Sequence, residues 1–314
     1  MSSTASTHSP TLTIIGAGNL GKTLAHLWHR QGIFAIRDVY SRDLQHAQAA
    51  AVFIGAGQAA NVLTDLRMAD AYLLSVPDDS IASVCRQLAA AGLLRPGCLV
   101  FHCSGALTAA ALQAARGCQA EVASAHPIRS FADPASLVDD FAGTWCGVEG
   151  DCAALARLGP AFEGIGATLV PVDSQFKTLY HAAAVFASNY LVTLFDIGLQ
   201  AYEQAGIPRA TGQRILAPLV AKTLENITRV GPEAALSGPI ARGDLEVVKQ
   251  QQQALAAWHP AHGALYRQLG QATQALAQRA RAAAADARKA AQEATPETAP
   301  DGPENMPPPD MPRD

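Results

Sequence analysis

Leu12-Thr13-Ile14-Ile15-Gly16-Ala17-Gly18-Asn19-Leu20-Gly21-Lys22-Thr23-Leu24 is the stretch on which the reading of this 314-residue chain turns. A short apolar run breaks at Gly16, three glycines follow with G-x-G-x-x-G spacing, and a helical pattern opens at once. Strand, glycine turn and helix in that order mark a dinucleotide site rather than an ordinary turn. Gly16 permits the tight turn, Gly18 lets the backbone approach a pyrophosphate, and Gly21 lets the helix pack closely on the strand. The helix start, with Asn19 and Leu20, then points unpaired N–H groups and the positive dipole end at the anion.

Working outward, the alternation of apolar runs and helical patterns predicts a doubly wound α/β domain with a mostly parallel sheet. The second strand, Phe34 to Tyr40, ends in Ser41-Arg42. An acid at that tip would bond the ribose 2′-hydroxyl of NAD, but Asp38, the only acid nearby, sits inside the strand. Ser41 and Arg42 instead offer the groups that accommodate a 2′-phosphate, so NADP is expected over NAD. Arg42 also suits a solvated helix start. Asp43 to Ala51 reads as a helix and Gly55 to Asn61 as a loop of small residues. Ala71 to Val76 is a buried-type strand, and its carboxyl end should bring Val76 and Pro77 to the cofactor crevice. Asp78 and Asp79 fit the cap of the next helix. Cys98 to Ser104 and Glu121 to Ala125 are further strands, which puts His102, Ser104 and His126 at carboxyl ends where such sheets hold ligands. A structural, satisfied histidine is the competing reading for His102 and His126.

Weaker strands at Thr144–Val148 and Ala167–Val170 flank a helix from about Cys152 to Phe162. After Pro171 only helical periods remain, which divides the chain into 11–172 and an all-α 173–291. Residues 1–10 read as a disordered arm and the Pro- and acid-rich 292–314 as a disordered tail. A helix from Asp173 or Ser174 to about Ala205 is apolar on all sides and is expected to be central and buried. Helices at Thr211–Arg229 (kinked at Pro218), Leu245–Trp258 and His262–Ala290 follow.

The bulk properties narrow the function. A hydrophobic fraction of 49%, charged residues at 16% and a net charge of -4 suit a compact protein and offer no basic face for nucleic acid. No run of some 18 apolar residues suggests a membrane span. Six cysteines without a C-x-x-C pair suit reduced thiols in a cytoplasm. His259 and His262 lack a third ligand, so no metal is expected.

Lys177, His181, Ala184 and Ser188 share one face of the long helix. A lysine beside a cofactor cleft can donate a proton to a developing alkoxide or amide, and His181 one turn on can orient a substrate carbonyl, with Asn189 on the flank. Lys177 snorkelling at the helix start and His181 as a core residue is the structural alternative. Ser237 to Asp244 forms a loop of fixed shape in which Asp244 caps a helix. Arg242 there can fork onto a substrate carboxylate, or pair with Asp244 and merely tie the loop down.

Several longer stretches carry a resemblance: Gly16-Ala17-Gly18-Asn19-Leu20-Gly21, Val76-Pro77-Asp78-Asp79, His102-Cys103-Ser104-Gly105-Ala106, His126-Pro127, Tyr180 to Asn189 and Gly238 to Asp244. Through them the chain resembles bacterial Rossmann-like proteins with a C-terminal domain of unknown function (DUF2520). These are similar to pyrroline-5-carboxylate reductase, ketopantoate reductase, prephenate dehydrogenase and the 6-phosphogluconate and β-hydroxyacid dehydrogenases. The resemblance implies an NADP-dependent reductase whose helical half binds substrate and forms a homodimer. β-Hydroxyacid dehydrogenases and ketopantoate reductases carry a lysine and an asparagine four apart on this helix; here Lys177 is followed by His181, with an asparagine only at Asn189. The expected reaction is hydride transfer between NADP(H) and a small carboxylate-bearing carbonyl, a ketopantoate-like 2-oxo acid first. In that reading Lys177, His181 and Asn189 are catalytic, and His126, Ser188, Arg242 and Asp244 hold substrate. The alternatives are an imine reductase of the pyrroline-carboxylate type and a non-catalytic NADP-binding sensor.

Overall fold

The computed structural model describes residues 9–293. Its contacts group into two compact units that divide between Leu191 and Val192. The expected arm and tail lie largely outside the described residues. Of the arm, Ser9 and Pro10 are described and tied down: Ser9 Oγ donates to Gly32 O, and Ala35 N donates to Pro10 O.

The first unit is built on eight strands: β1 (Thr11–Ile15), β2 (Ala35–Tyr40), β3 (Gln58–Ala60), β4 (Ala71–Leu74), β5 (Leu99–His102), β6 (Glu121–Pro127), β7 (Trp145–Gly150) and β8 (Thr168–Pro171). They pair in the order β3-β2-β1-β4-β5-β6-β7-β8. Every pairing is parallel except β6 with β7. The chain winds outward from β1 to β3 and then crosses back to β4, so the order reverses between β1 and β4. A crevice opens at such a switch point, beyond the strand carboxyl ends.

Helices α1 (Asn19–Arg30), α2 (Leu44–Ile54), α3 (Asp78–Ala90), α4 (Gln113–Gly117), α5 (Pro134–Asp140) and α6 (Cys152–Glu163) connect the strands. The core has two parts. In one, Trp28 is fully buried, meets Phe34, Phe101 and Phe162 edge-on, and donates its indole N–H to Ala161 O at 2.9 Å. The other gathers Tyr72, Leu74, Ile81, Leu88 and Val100.

Local readings needed correction in four places. β3 occupies part of the expected loop 55–61, a short edge strand without strong β-formers. α5 was not anticipated, although Asp133 caps it in the usual way, its carboxylate accepting from Ala135 N and Ser136 N. The single long helix is two, α7 (Lys177–Ala187) and α8 (Asn189–Gln204), broken by a turn at Ser188, whose φ of -117 is stretched from the usual helical value. It is also not buried: Leu179, Phe186 and Tyr190 are exposed. The stretch Ser174–Gln204 has the length and hydropathy of a membrane span, by composition alone.

The second unit contains the rest of α8 with α9 (Arg209–Ala235), α10 (Pro239–Arg242), α11 (Leu245–Trp258) and α12 (Pro260–Glu293). Pro218 is accommodated within α9; the residue outside helical backbone there is Gly231, at φ 79 just before Pro232. The boundary between compact units also falls later than residue 172. The change from strands to helices does come after Pro171, but α7 stays with the sheet.

Candidate functional site

The three glycines of the opening turn are held by three different constraints. Gly16 has φ +111, and a Cβ there would lie 2.4 Å from Ser75 O; one on Gly21 would lie 2.2 Å from Ser75 Oγ. A Cβ on Gly18 would meet nothing in the protein closer than 4.0 Å. Two glycines are therefore required by the fold, and the third leaves room for something else. Gly18 is also the N-cap of α1 with no side-chain cap bond, and the first turn carries no acid. Such a terminus suits a phosphate.

A cleft of about 430 Å³ extends from this turn, lined by Tyr40, Ser41, Arg42, Val76 and Pro77 among others. Asp38 lies outside its lining. Its side chain is buried and accepts from Arg67 N at 2.9 Å and from Arg67 Nη2 at 2.6 Å. A second cavity of about 160 Å³, which shares Ser75 and Val76 with the first, is lined by Leu20, Asp78, Cys103 and Ser104. Ser104 Oγ donates to Asp78 Oδ2 at 2.7 Å. Asn19 opens α1, and its side-chain amide donates to Phe131 O at 2.9 Å, in the loop after β6.

The chemistry gathers where the sheet turns antiparallel. In the β6–β7 register Ser124 faces Glu149 and His126 faces Gly147. Residues two apart on a strand share a face, so all four lie on one side of the sheet. Helix α7 covers them with residues one turn apart. Lys177 is 1% exposed; its ammonium donates to Glu149 Oε1 at 2.9 Å and to Ser124 Oγ. The Tyr180 hydroxyl lies 3.0 Å from His126 Nδ1, on a seat that a Cβ at Gly147 would fill, 2.3 Å away. The His181 ring meets His126 edge-on at 5.3 Å, and its Nδ1 is buried without a partner. A Cβ on Gly105 would stand 2.2 Å from that nitrogen and 2.9 Å from His126 Cε1, so Gly105 leaves space for both rings.

Burial sets the protonation states. It pulls His126 down to about 4, helped by His181 and Lys177, so this imidazole is neutral near pH 7. It raises the Tyr180 hydroxyl to about 12, so the resting group is the neutral phenol near pH 7. Burial also draws the Lys177 ammonium below the usual lysine range, with Glu149 opposing.

The expected site residues thus divide. His126 and His181 come together with Lys177 behind them. Lys177 is not placed as a proton donor to a cleft, because its ammonium is sealed and already bonded to Glu149 and Ser124. His102 is structural: it is fully buried, accepts from Ser104 N at Nδ1, and directs Nε2 to Thr108 O at 3.1 Å. Ser188 is exposed at the break between α7 and α8, and Asn189, also exposed, opens α8. In the second unit Arg242 Nε donates to Asp244 Oδ2 at 2.9 Å, the loop-tying alternative. Asp244 stands at the N-cap of α11, but its carboxylate is turned to Arg242 and makes no cap bond. His259 and His262 stack at 4.0 Å, and no group of three or more metal-ligating side chains occurs among the described residues.

Tyr180, Ser124 and Glu149 were not singled out from sequence. Tyr180 stands three residues after Lys177 on the same helix face, a signal open to reading. Ser124 and Glu149 become visible only with the strand register.

Comparison with known proteins fits this architecture. Residues 2–127 match the Rossmann-like domain family, and residues 144–273 match the family described as domain of unknown function (DUF2520). The site draws Ser124 and His126 from the stretch similar to the first family and Glu149, Lys177, Tyr180 and His181 from the stretch similar to the second. No curated protein sequence matches. Among solved structures, a Bacteroides fragilis protein titled "putative NADP oxidoreductase" superposes with TM-score 0.70 at 23% identity, over 85% of this chain and 98% of that one. A Thermotoga maritima protein gives 0.67 at 26% identity, over 86% and 100%. A pyrroline-5-carboxylate reductase of Coxiella burnetii gives 0.56 at 16% identity, over 87% and 98%.

Proposed function

We propose that this chain is an NADP-dependent reductase of a small, carboxylate-bearing imine. The observation that carries the reading is the continuity of two spaces at Ser75 and Val76. One is the cleft at the glycine turn; the other ends at Ser104, next to the Gly105 that seats His126 and His181. Bound NADPH supplies the hydride. Gly16, Gly18 and Gly21 with the α1 terminus hold its pyrophosphate, and Ser41 and Arg42 take the 2′-phosphate. Asp38, spent on Arg67, offers no rival carboxylate for a free ribose.

The protein then has to place a proton on the substrate nitrogen as the adjacent carbon receives hydride. Tyr180 keeps its proton and donates it to His126 Nδ1, which leaves the His126 proton on Nε2. As negative charge develops on the substrate nitrogen, the Nε2 proton moves to it and the Tyr180 proton moves to Nδ1. Tyr180 regains its proton from water. His181, stacked edge-on, fixes the His126 ring. The 2-oxo acid expected from sequence came from the resemblance to ketopantoate reductases; an imine of the kind named by the pyrroline-5-carboxylate reductase neighbour is the better first substrate.

Pyrroline-5-carboxylate with NADPH is the direct test. His126→Ala should cut turnover ~100-fold or more while NADPH affinity stays unchanged. Failure to bind NADPH, or full turnover by the variant, overturns the reading.

A homodimer completes the proposal. Among the described residues of the second unit only Leu199 and Ala277 are buried hydrophobics, while Val192, Leu194, Ile215 and Leu219 are exposed. A helical unit of that kind lacks a core of its own, and a second copy would supply one. Light scattering should give twice the chain mass. Free cysteines at all six positions suit a reducing compartment, the cytoplasm.

A further inference from the structure

We infer that Lys177 is a positioning residue: its ammonium, held between Glu149 on β7 and Ser124 on β6, fixes the Ser104–Ala109 loop beneath the His126–His181 pair. The inference rests on the proposed reductase reading for its effect on turnover, though not for its structural content.

The bonds run from Lys177 to both ends of that loop. At one end Lys177 donates to Ser124 Oγ, and Ser124 in turn donates to Ser104 O at 3.3 Å. At the other, Glu149 Oε1 accepts both Lys177 Nζ and the Ala109 N–H, the latter at 2.8 Å. Inside the loop, Ser104 Oγ accepts from Ala106 N at 3.2 Å and Leu107 N at 2.9 Å. Gly105 lies within this braced segment, against His181 Nδ1 and His126 Cε1. A displacement of the loop by even part of an ångström would alter how the two rings sit, and small misplacements of reacting groups are costly in rate.

The arrangement explains why a lysine is buried here at all. An ammonium sealed from water is tolerated only when paired and hydrogen-bonded. Glu149 supplies the countercharge and Ser124 a second acceptor, and the same two side chains reach the loop backbone. The one-turn spacing on α7 matches the two-residue spacing on β6 and β7. Seating Lys177 on Ser124 and Glu149 therefore seats Tyr180 on His126 and Gly147.

Amide exchange on the full chain, without substrate, tests the brace directly. Lys177→Met and Glu149→Gln should each speed exchange at Ala109 and its loop neighbours roughly tenfold or more, with strands β1 and β4 unchanged. Lys177→Arg should restore much of the protection. With pyrroline-5-carboxylate and NADPH, Lys177→Met and Glu149→Gln should lower kcat by similar factors and leave the NADPH dissociation constant unaltered. The double variant should be no worse than the poorer single one, as for two parts of one network. Unchanged exchange at Ala109 in both single variants overturns the inference. So does a dead Lys177→Met, unrescued by arginine, beside a fully active Glu149→Gln, because Lys177 would then be the proton donor itself. If no substrate turns over, the reductase reading fails, and the exchange result still decides the brace.

Discussion

The glycine turn and the β6–β7–α7 cluster stand at opposite poles of how a protein makes a site. The turn is local: consecutive residues supply strand, turn and helix start, with Gly16 and Gly21 packed against Ser75 and Gly18 left open. The cluster is assembled from four distant segments, around residues 104, 124, 149 and 180. It uses ordinary side chains whose meaning comes from register. In the proposed reading the first holds the cofactor and the second decides what is done with it.

The largest expected effect separates the two regions at the turn. Gly18→Val should leave the fold intact, since a Cβ at Gly18 meets nothing nearer than 4.0 Å, yet it fills the phosphate seat. NADPH affinity, read by fluorescence titration, should fall more than about 100-fold, or about 3 kcal/mol. Histidine resonances of the cluster should stay where they are. Unimpaired binding would mean that the turn is a packing device and nothing more.

This contrast also sets what was legible in the sequence. Sheet class, the glycine turn and most strands and helices could be read from periodicity and spacing, and His126 and His181, picked out separately in the sequence, lie ring against ring in the structure. Lys177 was found without its bonding partners, because helix spacing tells which face a residue shares and not what lies opposite. Its partners sit on β6 and on β7, the strand that reverses direction, and only the pairing of Ser124 with Glu149 reveals them. The break at Ser188 and the exposure of α7 were hidden for a related reason. An all-apolar helix implies burial, but a chain taken alone does not disclose a surface that another molecule would cover.

The next effect breaks the cluster with acid. Burial holds His102 and His126 each at about 4, against an ordinary 6.5. As pH falls from about 6.5 towards 4, the unfolded chain takes up protons that the folded chain refuses, so stability drops. Each imidazole contributes up to about 3 kcal/mol to that loss. His102→Gln should reduce the slope of stability against pH by about half in denaturant titrations between pH 6 and 4. An unchanged slope would place the acid sensitivity elsewhere, away from His102.

The smallest effect lies at the far end of the cofactor cleft and sharpens its chemistry. Arg42 is exposed, lines the cleft beside Ser41, and has no part in the fold's interior. If it meets a 2′-phosphate, Arg42→Ala should weaken NADPH about tenfold, some 1.4 kcal/mol, the size of one charge-assisted contact. NADH lacks that phosphate, so its dissociation constant should not move. Thermal unfolding without cofactor should not move either, because a solvated arginine contributes little to stability. Equal losses for both cofactors would assign Arg42 to the adenosine as a whole, and no loss for either would leave Ser41 and the strand tip to make the choice. Asp38 supplies the internal control: its carboxylate is committed to Arg67, so Arg67→Ala should release an acid within β2, two residues before Tyr40 of the cleft lining, and move the preference towards NADH. Both substitutions should therefore shift selectivity towards NADH, the first through loss of NADPH affinity and the second through gain of NADH affinity, and a shift towards NADPH in either is the result this assignment cannot accommodate.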